Sequence, residues 1–333
     1  MFLTEANVLH YLVERQFADV ETAVAGEFSV RALTRRNVNF HVTCGAREYL
    51  VKQAKRWDLE ARTSVEREAK FYQLQASHLA PQCYSYDPPN SALVMEFLPG
   101  HMELYDVPDR FAPELGRLCG EAMGTFHREM TAGSLAATFP GAIPWHLSLN
   151  ELGEDDLDDP SAGQRELARM VKKHAEFGRG LDRLRAEWRA DTLIHGDWKL
   201  DNCLISPDRD SMRVVDWEFV SWGDSIWDVS ALLQSYWNFW VRRPLDYSIE
   251  SIRPALRAFL SAYAEAREWD AGELAARAIR FAGARMLQTA FENLDKIEEM
   301  TGQTVRLMQG SLNVFTRPDW AAEQLIGTPC SKN

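Results

Sequence analysis

The residues best suited to chemistry lie in the run Leu193-Ile194-His195-Gly196-Asp197-Trp198-Lys199-Leu200-Asp201-Asn202, where an apolar segment stops and polar side chains follow. A second run, Val214-Val215-Asp216-Trp217-Glu218, sets Asp216 at the end of another apolar segment, 19 residues after Asp197. Further upstream, Lys52 follows the apolar Tyr49-Leu50-Val51. An isolated ammonium in such a setting is costly to bury, so it calls for a carboxylate or phosphate partner. These are the parts that phosphoryl transfer from ATP requires: a carboxylate to orient the attacking hydroxyl, oxygen ligands for Mg²⁺, and a cation on the phosphates. Asp197 and Asn202, five residues apart on one loop, can divide between acceptor and metal. Asp216 is then a second metal ligand, and Lys52 reaches the phosphates.

The elements that must position these groups follow from periodicity. A short helix is expected over residues 5–17. Residues 37–43 alternate apolar and polar with period two, and residues 48–53 form a second strand, giving an antiparallel hairpin with a connection of four or five residues. A helix over residues 58–77 puts Val65, Glu68, Ala69 and Tyr72 on one stripe, so Glu68 faces inward as the natural partner of Lys52. Glu66, Lys70 and Gln73 fall on the polar side. Strands at residues 83–86 and 92–97 follow, and Leu98-Pro99-Gly100 ends the pattern. Beyond it helices dominate: about 110–131, 161–189 and 226–297, the last interrupted near residues 243–244 and 269–272. Short strands lie at 193–194, 203–205 and 213–217. The tail from Pro318 is expected to be loosely ordered.

Composition narrows the classes. The chain has 333 residues, 46% hydrophobic and 26% charged, which excludes collagen-like or largely disordered chains. The net charge of −12 argues against a nucleic-acid binder with a broad basic face. A bilayer span needs about 20 mostly apolar residues, and none is present. No basic leader segment is apparent at the N-terminus, so a cytoplasmic location is expected. Cys44, Cys83, Cys119, Cys203 and Cys330 form no CxxC pair and read as reduced thiols.

The ordered motifs resemble the aminoglycoside phosphotransferase and choline kinase-like family, which shares its fold with protein kinases. The likeness rests on His-Gly-Asp-x-x-x-x-Asn at 195–202, on Val-Val-Asp-Trp-Glu at 214–218 continuing to Trp227-Asp228-Val229, and on Lys52, Arg67-Glu68-Ala69 and Leu93 to Gly100. It implies an α+β, bilobal protein kinase-like fold, with a small antiparallel-sheet N-lobe and a larger, mostly helical C-lobe. Residues 1–97 would be the nucleotide-binding lobe and 98–333 the catalytic and acceptor-binding lobe. The implied activity is that of an ATP-dependent phosphotransferase acting on an alcohol group. Asp197 would be the catalytic carboxylate, and Asn202 and Asp216 would bind Mg²⁺. Lys52, paired with Glu68, would hold the phosphates, and backbone at Glu96 and Phe97 would meet adenine. His195 would support the loop and Asp228 would brace it.

Two features depart from the pattern. The phosphate-covering hairpin, residues 29–40, lacks glycines, and Arg35, Arg36 and Asn37 stand where phosphate contacts are expected. Lys199, in Asp-x-Lys-x-x-Asn, resembles the protein kinase catalytic loop, and such a lysine can neutralise the transferring phosphoryl group. The acceptor expected is a small molecule, such as an aminoglycoside, a choline-like amine or another metabolite. A peptide Ser/Thr and a silent pseudokinase binding module are the alternatives. The tryptophans at 217, 222, 227, 237 and 240 read as helix packing, or as an acceptor wall. The acidic run at 154–159 reads as a solvated loop, or as an attractor for a cationic substrate, and His127 as a packed helix residue.

Overall fold

The computed structural model describes residues 1–33, 37–55, 59–74, 77–153, 156–243 and 245–327. In chain order the elements are α1 (Val8–Glu14), α2 (Val20–Val24), β1 (Phe28–Ala32), β2 (Val38–Cys44), β3 (Arg47–Gln53), α3 (Leu59–Gln73), β4 (Cys83–Asp87), β5 (Ala92–Glu96) and β6 (Met102–Glu103). Helices α4 (Pro113–Glu129), α5 (Gly133–Thr138), α6 (Ala162–Lys173) and α7 (Ala175–Glu187) follow. Strands β7 (Thr192–Ile194), β8 (Cys203–Ile205), β9 (Met212–Val214) and β10 (Ser221–Gly223) come next. Helices α8 (Ile226–Arg242), α9 (Ile249–Arg267), α10 (Ala271–Glu292), α11 (Gly302–Thr316) and α12 (Pro318–Ile326) complete the chain. Two compact units result: residues 1–102 with 202–220, and residues 103–201 with 221–333.

In the first unit the strands form an antiparallel sheet in the order β1-β2-β3-β5-β4. Strand alternation sorts β3 between its two faces. Tyr49 and Val51 join the core that Val8, Tyr11 and Leu12 of α1 seal. Lys52 is also buried, opposite Asn39 and Leu93 in register. The β2–β3 connection is tighter than its sequence suggests. Cys44 pairs with Arg47, leaving two residues in the turn, and Gly45 has φ +59°. Glycine at the first central position lets a two-residue hairpin match the strand twist. Helix α3 buries Val65, Glu68, Ala69 and Tyr72 as its stripe predicts. The β8–β9 hairpin pairs Cys203 with Val214. The strand expected over 213–217 stops at Val214 because Asp216, at φ +66°, is left-handed and a 3₁₀ turn starts at Trp217.

The second unit is helical, with the short antiparallel pair β7–β10 joining Ile194 to Ser221. Helix α4 packs on α9 through Gly116, Gly120 and Gly124, spaced four residues apart on one face. The single helix expected over 161–189 is two, because His174 takes an extended conformation between α6 and α7. The tail from Pro318 forms α12, which buries Ala321, Ala322, Leu325 and Ile326. Proline at a first helical position favours a start, since its missing N–H has no intrahelical acceptor there. No helix among the described residues is long and apolar enough to cross a membrane.

Candidate active site

In the first unit, Lys52 Nζ ion-pairs with Glu68 Oε2 at 2.7 Å and with Asp216 Oδ1 at 2.6 Å. Lys52 and Glu68 are almost fully buried, whereas the Asp216 side chain is 39% exposed and can meet a ligand. Burial alone would lower the Lys52 pKa, but Glu68 and Asp216 outweigh it and hold the ammonium charged. Burial is the main influence pushing Glu68 up, opposed by Lys52. Tyr72 Oη donates to Glu68 Oε1 at 3.0 Å and fixes the carboxylate from its own helix. Glu66, on the exposed face, pairs with Lys70 instead.

The β8–β9 hairpin explains why Asn202 and Asp216 share one end. Val215 N donates to the Asn202 carbonyl at 3.0 Å, directly beyond the Cys203–Val214 pair, and Asp216 is the next residue. Aspartate tolerates the left-handed conformation better than most residues, and Trp217 stacks on Phe71 of α3 at 4.0 Å to secure the turn. Glu218, which has no separate role in the motif reading, is buried and accepts from Asn37 Nδ2 at 2.9 Å and Ser64 Oγ at 3.1 Å. Its signal was an acid inside a mostly apolar motif. Asn37 is itself buried, and Arg35 and Arg36 lie outside the described residues. At the end of β5, Glu96 accepts from Gln82 N at 3.0 Å, and Phe97 stacks on His41 at 3.6 Å.

In the second unit, Asp197 is held from both sides. Lys199 Nζ donates to its Oδ2 at 2.7 Å, and Arg285 Nη2 lies 3.6 Å from its Oδ1. Burial would lower the Lys199 pKa, but the Asp197 carboxylate raises it. Arg285 also donates to the Gly196 carbonyl at 3.3 Å and lies over the Trp227 ring at 4.6 Å. No sequence motif marks Arg285; its one signal is a lone cation in Phe281-Ala282-Gly283-Ala284-Arg285-Met286-Leu287. The loop backbone is clamped by Asp228, which accepts from His195 N at 2.7 Å and Gly196 N at 2.9 Å. His127 bridges Asp228 at 3.2 Å and Tyr263 at 2.9 Å. Burial would raise the Asp228 pKa, but these donors lower it, so the clamp stays ionised. Trp198, fully buried beside Phe126 and His127, anchors the loop in the core. Trp217, Trp227 and Trp237 are likewise buried, and Trp240 is partly exposed.

Asp197 and Lys199 open onto a cavity of about 150 Å³ within the second unit, walled by α8 and α10. For magnesium, the donor set suits a hard cation: the Asp216 carboxylate and the Asn202 carboxamide lie at one hairpin end. Mg²⁺ commonly takes one or two carboxylates and completes its shell with water and phosphate. Among the described residues no cluster of three or more His, Cys, Asp or Glu could hold a metal by itself.

The fold has counterparts among solved structures. Plasmodium vivax ethanolamine kinase superposes with a TM-score of 0.64 at 15% identity, covering 94% of this chain and 88% of that one. Choline kinase LicA from Streptococcus pneumoniae gives 0.53 at 16% identity, covering 91% and 99%. Macrolide 2'-phosphotransferase MphH from Brachybacterium faecium gives 0.55 at 18% identity, covering 92% and 97%. These likenesses establish the kinase-like fold. No curated protein matches by sequence. The model of the phosphotransferase enzyme family, however, matches residues 29–282, most of the chain and all of the motifs described above. The chain belongs to the phosphotransferase enzyme family.

Proposed function

We infer that this protein transfers the γ-phosphoryl group of ATP, with Mg²⁺, to a hydroxyl of a small-molecule acceptor. The observation that carries this reading is Asp197, fixed between Lys199 and Arg285 at the wall of a polar cavity. Asp197 accepts the hydrogen bond of the acceptor O–H and aims its oxygen at phosphorus. As the new P–O bond forms, the bond to the β-phosphate oxygen breaks, ADP leaves, and the hydroxyl proton passes to the carboxylate. Lys199 neutralises charge on the transferring group. Lys52, held by Glu68, orients the nucleotide phosphates, and Asn202 and Asp216 hold the metal, which shields phosphate charge. Glu96 and Phe97 border the adenine, and Asn37 steadies Glu218 behind the phosphate-binding groups.

The test is Asp197→Asn. A positioned general base contributes about 10²–10⁴-fold, so turnover should fall by that order while Mg·ATP affinity, read by calorimetry, changes little. Undiminished turnover in a folded Asp197→Asn variant would reject the reading.

A further inference from the structure

The cavity beside Asp197 carries a chemical signature of its own. Its α8 wall presents Gln234, Asn238 and Arg242, spaced as one helical stripe, with Arg243 following. Gln234 is 7% exposed and its Nε2 has no hydrogen-bond partner; Asn238 Oδ1 and Asn293 Nδ2, on the same lining, are buried and unpartnered as well. A buried donor or acceptor left unpaired is unfavourable, so such a set marks a place where a polar ligand completes the bonds.

The charges are equally selective. Asp197 is already neutralised by Lys199 and Arg285. Glu292 accepts from Gln288, whose Oε1 in turn accepts from Arg285. Asp201 is a further carboxylate on the lining. Arg242 and Arg243 are exposed, and neither takes part in an ion pair among the described residues. The two aromatic rings on the lining are engaged with each other and with a cation. Tyr105 stacks on Phe239 at 4.7 Å, and the Arg110 guanidinium lies 5.0 Å from the Phe239 centroid. A cationic acceptor would meet three arginines here.

We propose that the acceptor is a small hydroxylated anion, with its carboxylate or phosphate gripped by Arg242 and Arg243. Its polar middle bonds Gln234 and Asn238, and its hydroxyl is directed at Asp197. This rests on the phosphotransferase reading above and narrows its substrate class.

The test reads binding apart from transfer. Gluconate and glycerol 3-phosphate (the carboxylate and phosphate arms), sorbitol (neutral) and choline (cationic) are titrated calorimetrically into the full chain. The anions should bind at least tenfold more tightly than sorbitol or choline. Arg242→Gln with Arg243→Gln should erase that preference without lowering the unfolding temperature, and Arg242→Lys with Arg243→Lys should keep most of it. Whichever anion binds more tightly identifies the headgroup. Preference for choline, no preference, or anion binding untouched by the Gln pair overturns the proposal. Anion binding that depends on Arg242 and Arg243, with no phosphate ester formed on any hydroxylated compound, would contradict the phosphotransferase reading and with it the acceptor role, leaving only an anion site. Transfer to choline alone would overturn this proposal and leave the phosphotransferase reading standing.

Discussion

Lys52 shows how one residue can be read for both stability and chemistry. Its ammonium is buried, and its two carboxylate partners differ: Glu68 is enclosed, whereas Asp216 faces solvent. Removing only the cation leaves the Glu68 charge uncompensated, which typically costs about 3–5 kcal/mol. Removing both charges and filling the space with apolar atoms is far less harmful, although Tyr72 then loses its acceptor at a cost of about 1–3 kcal/mol. Lys52→Met should therefore lower stability strongly in urea unfolding, and Lys52→Met with Glu68→Leu should recover part of the loss. A double variant no more stable than the single one would show that the pair is not what makes the cation essential to the fold. The Lys52–Glu68 pairing was legible in sequence because helix phase separates Glu68 from Glu66. Arg285 was not read, because its role depends on a loop almost ninety residues earlier in the chain.

At the scale of elements, the α4–α9 contact rests on backbone approach. A Cβ on Gly120 would lie 2.3 Å from the Phe259 carbonyl oxygen and 2.9 Å from Ala262 Cβ and Tyr263 N. Alanine gains about 1 kcal/mol of helix propensity over glycine, but overpacking against rigid neighbours costs about 1–3 kcal/mol. Gly120→Ala should lower the unfolding temperature, whereas Gly133→Ala, with nothing within 4 Å of its Cβ, should be neutral or slightly stabilising. Equal effects at the two positions would remove close packing as the reason for glycine at 120. The main strands and helices were legible because their apolar periods are long and regular. The two-residue turn at Gly45, the break at His174 and the early end of β9 were not. Each depends on one residue's φ or ψ, which periodicity does not register. Helix α12 was missed for another reason: Pro318 reads equally as a stop signal or as a helix start.

At the scale of the molecule, the net charge of −12 describes the whole chain and is a poor guide to the cavity beside Asp197, whose lining carries three arginines and a lysine beside three carboxylates. Order along the chain was the stronger guide to the family: Lys52, Glu68, Asp197, Asn202 and Asp216 all lie within the residues that the family match spans. The proposed acceptor chemistry was hidden because the cavity lining comes from α8 and α10, whose residues lie about fifty positions apart and share no motif. The central claim, transfer of a terminal phosphoryl group to a hydroxyl, is tested most directly by following γ-labelled ATP with Mg²⁺ and a panel of hydroxylated acceptors by mass spectrometry. The account predicts label in a phosphate ester of an acceptor, with one ADP formed per ester and little ester in Asp197→Asn. Label released only as inorganic phosphate, or ester formation undiminished in Asp197→Asn, would contradict it.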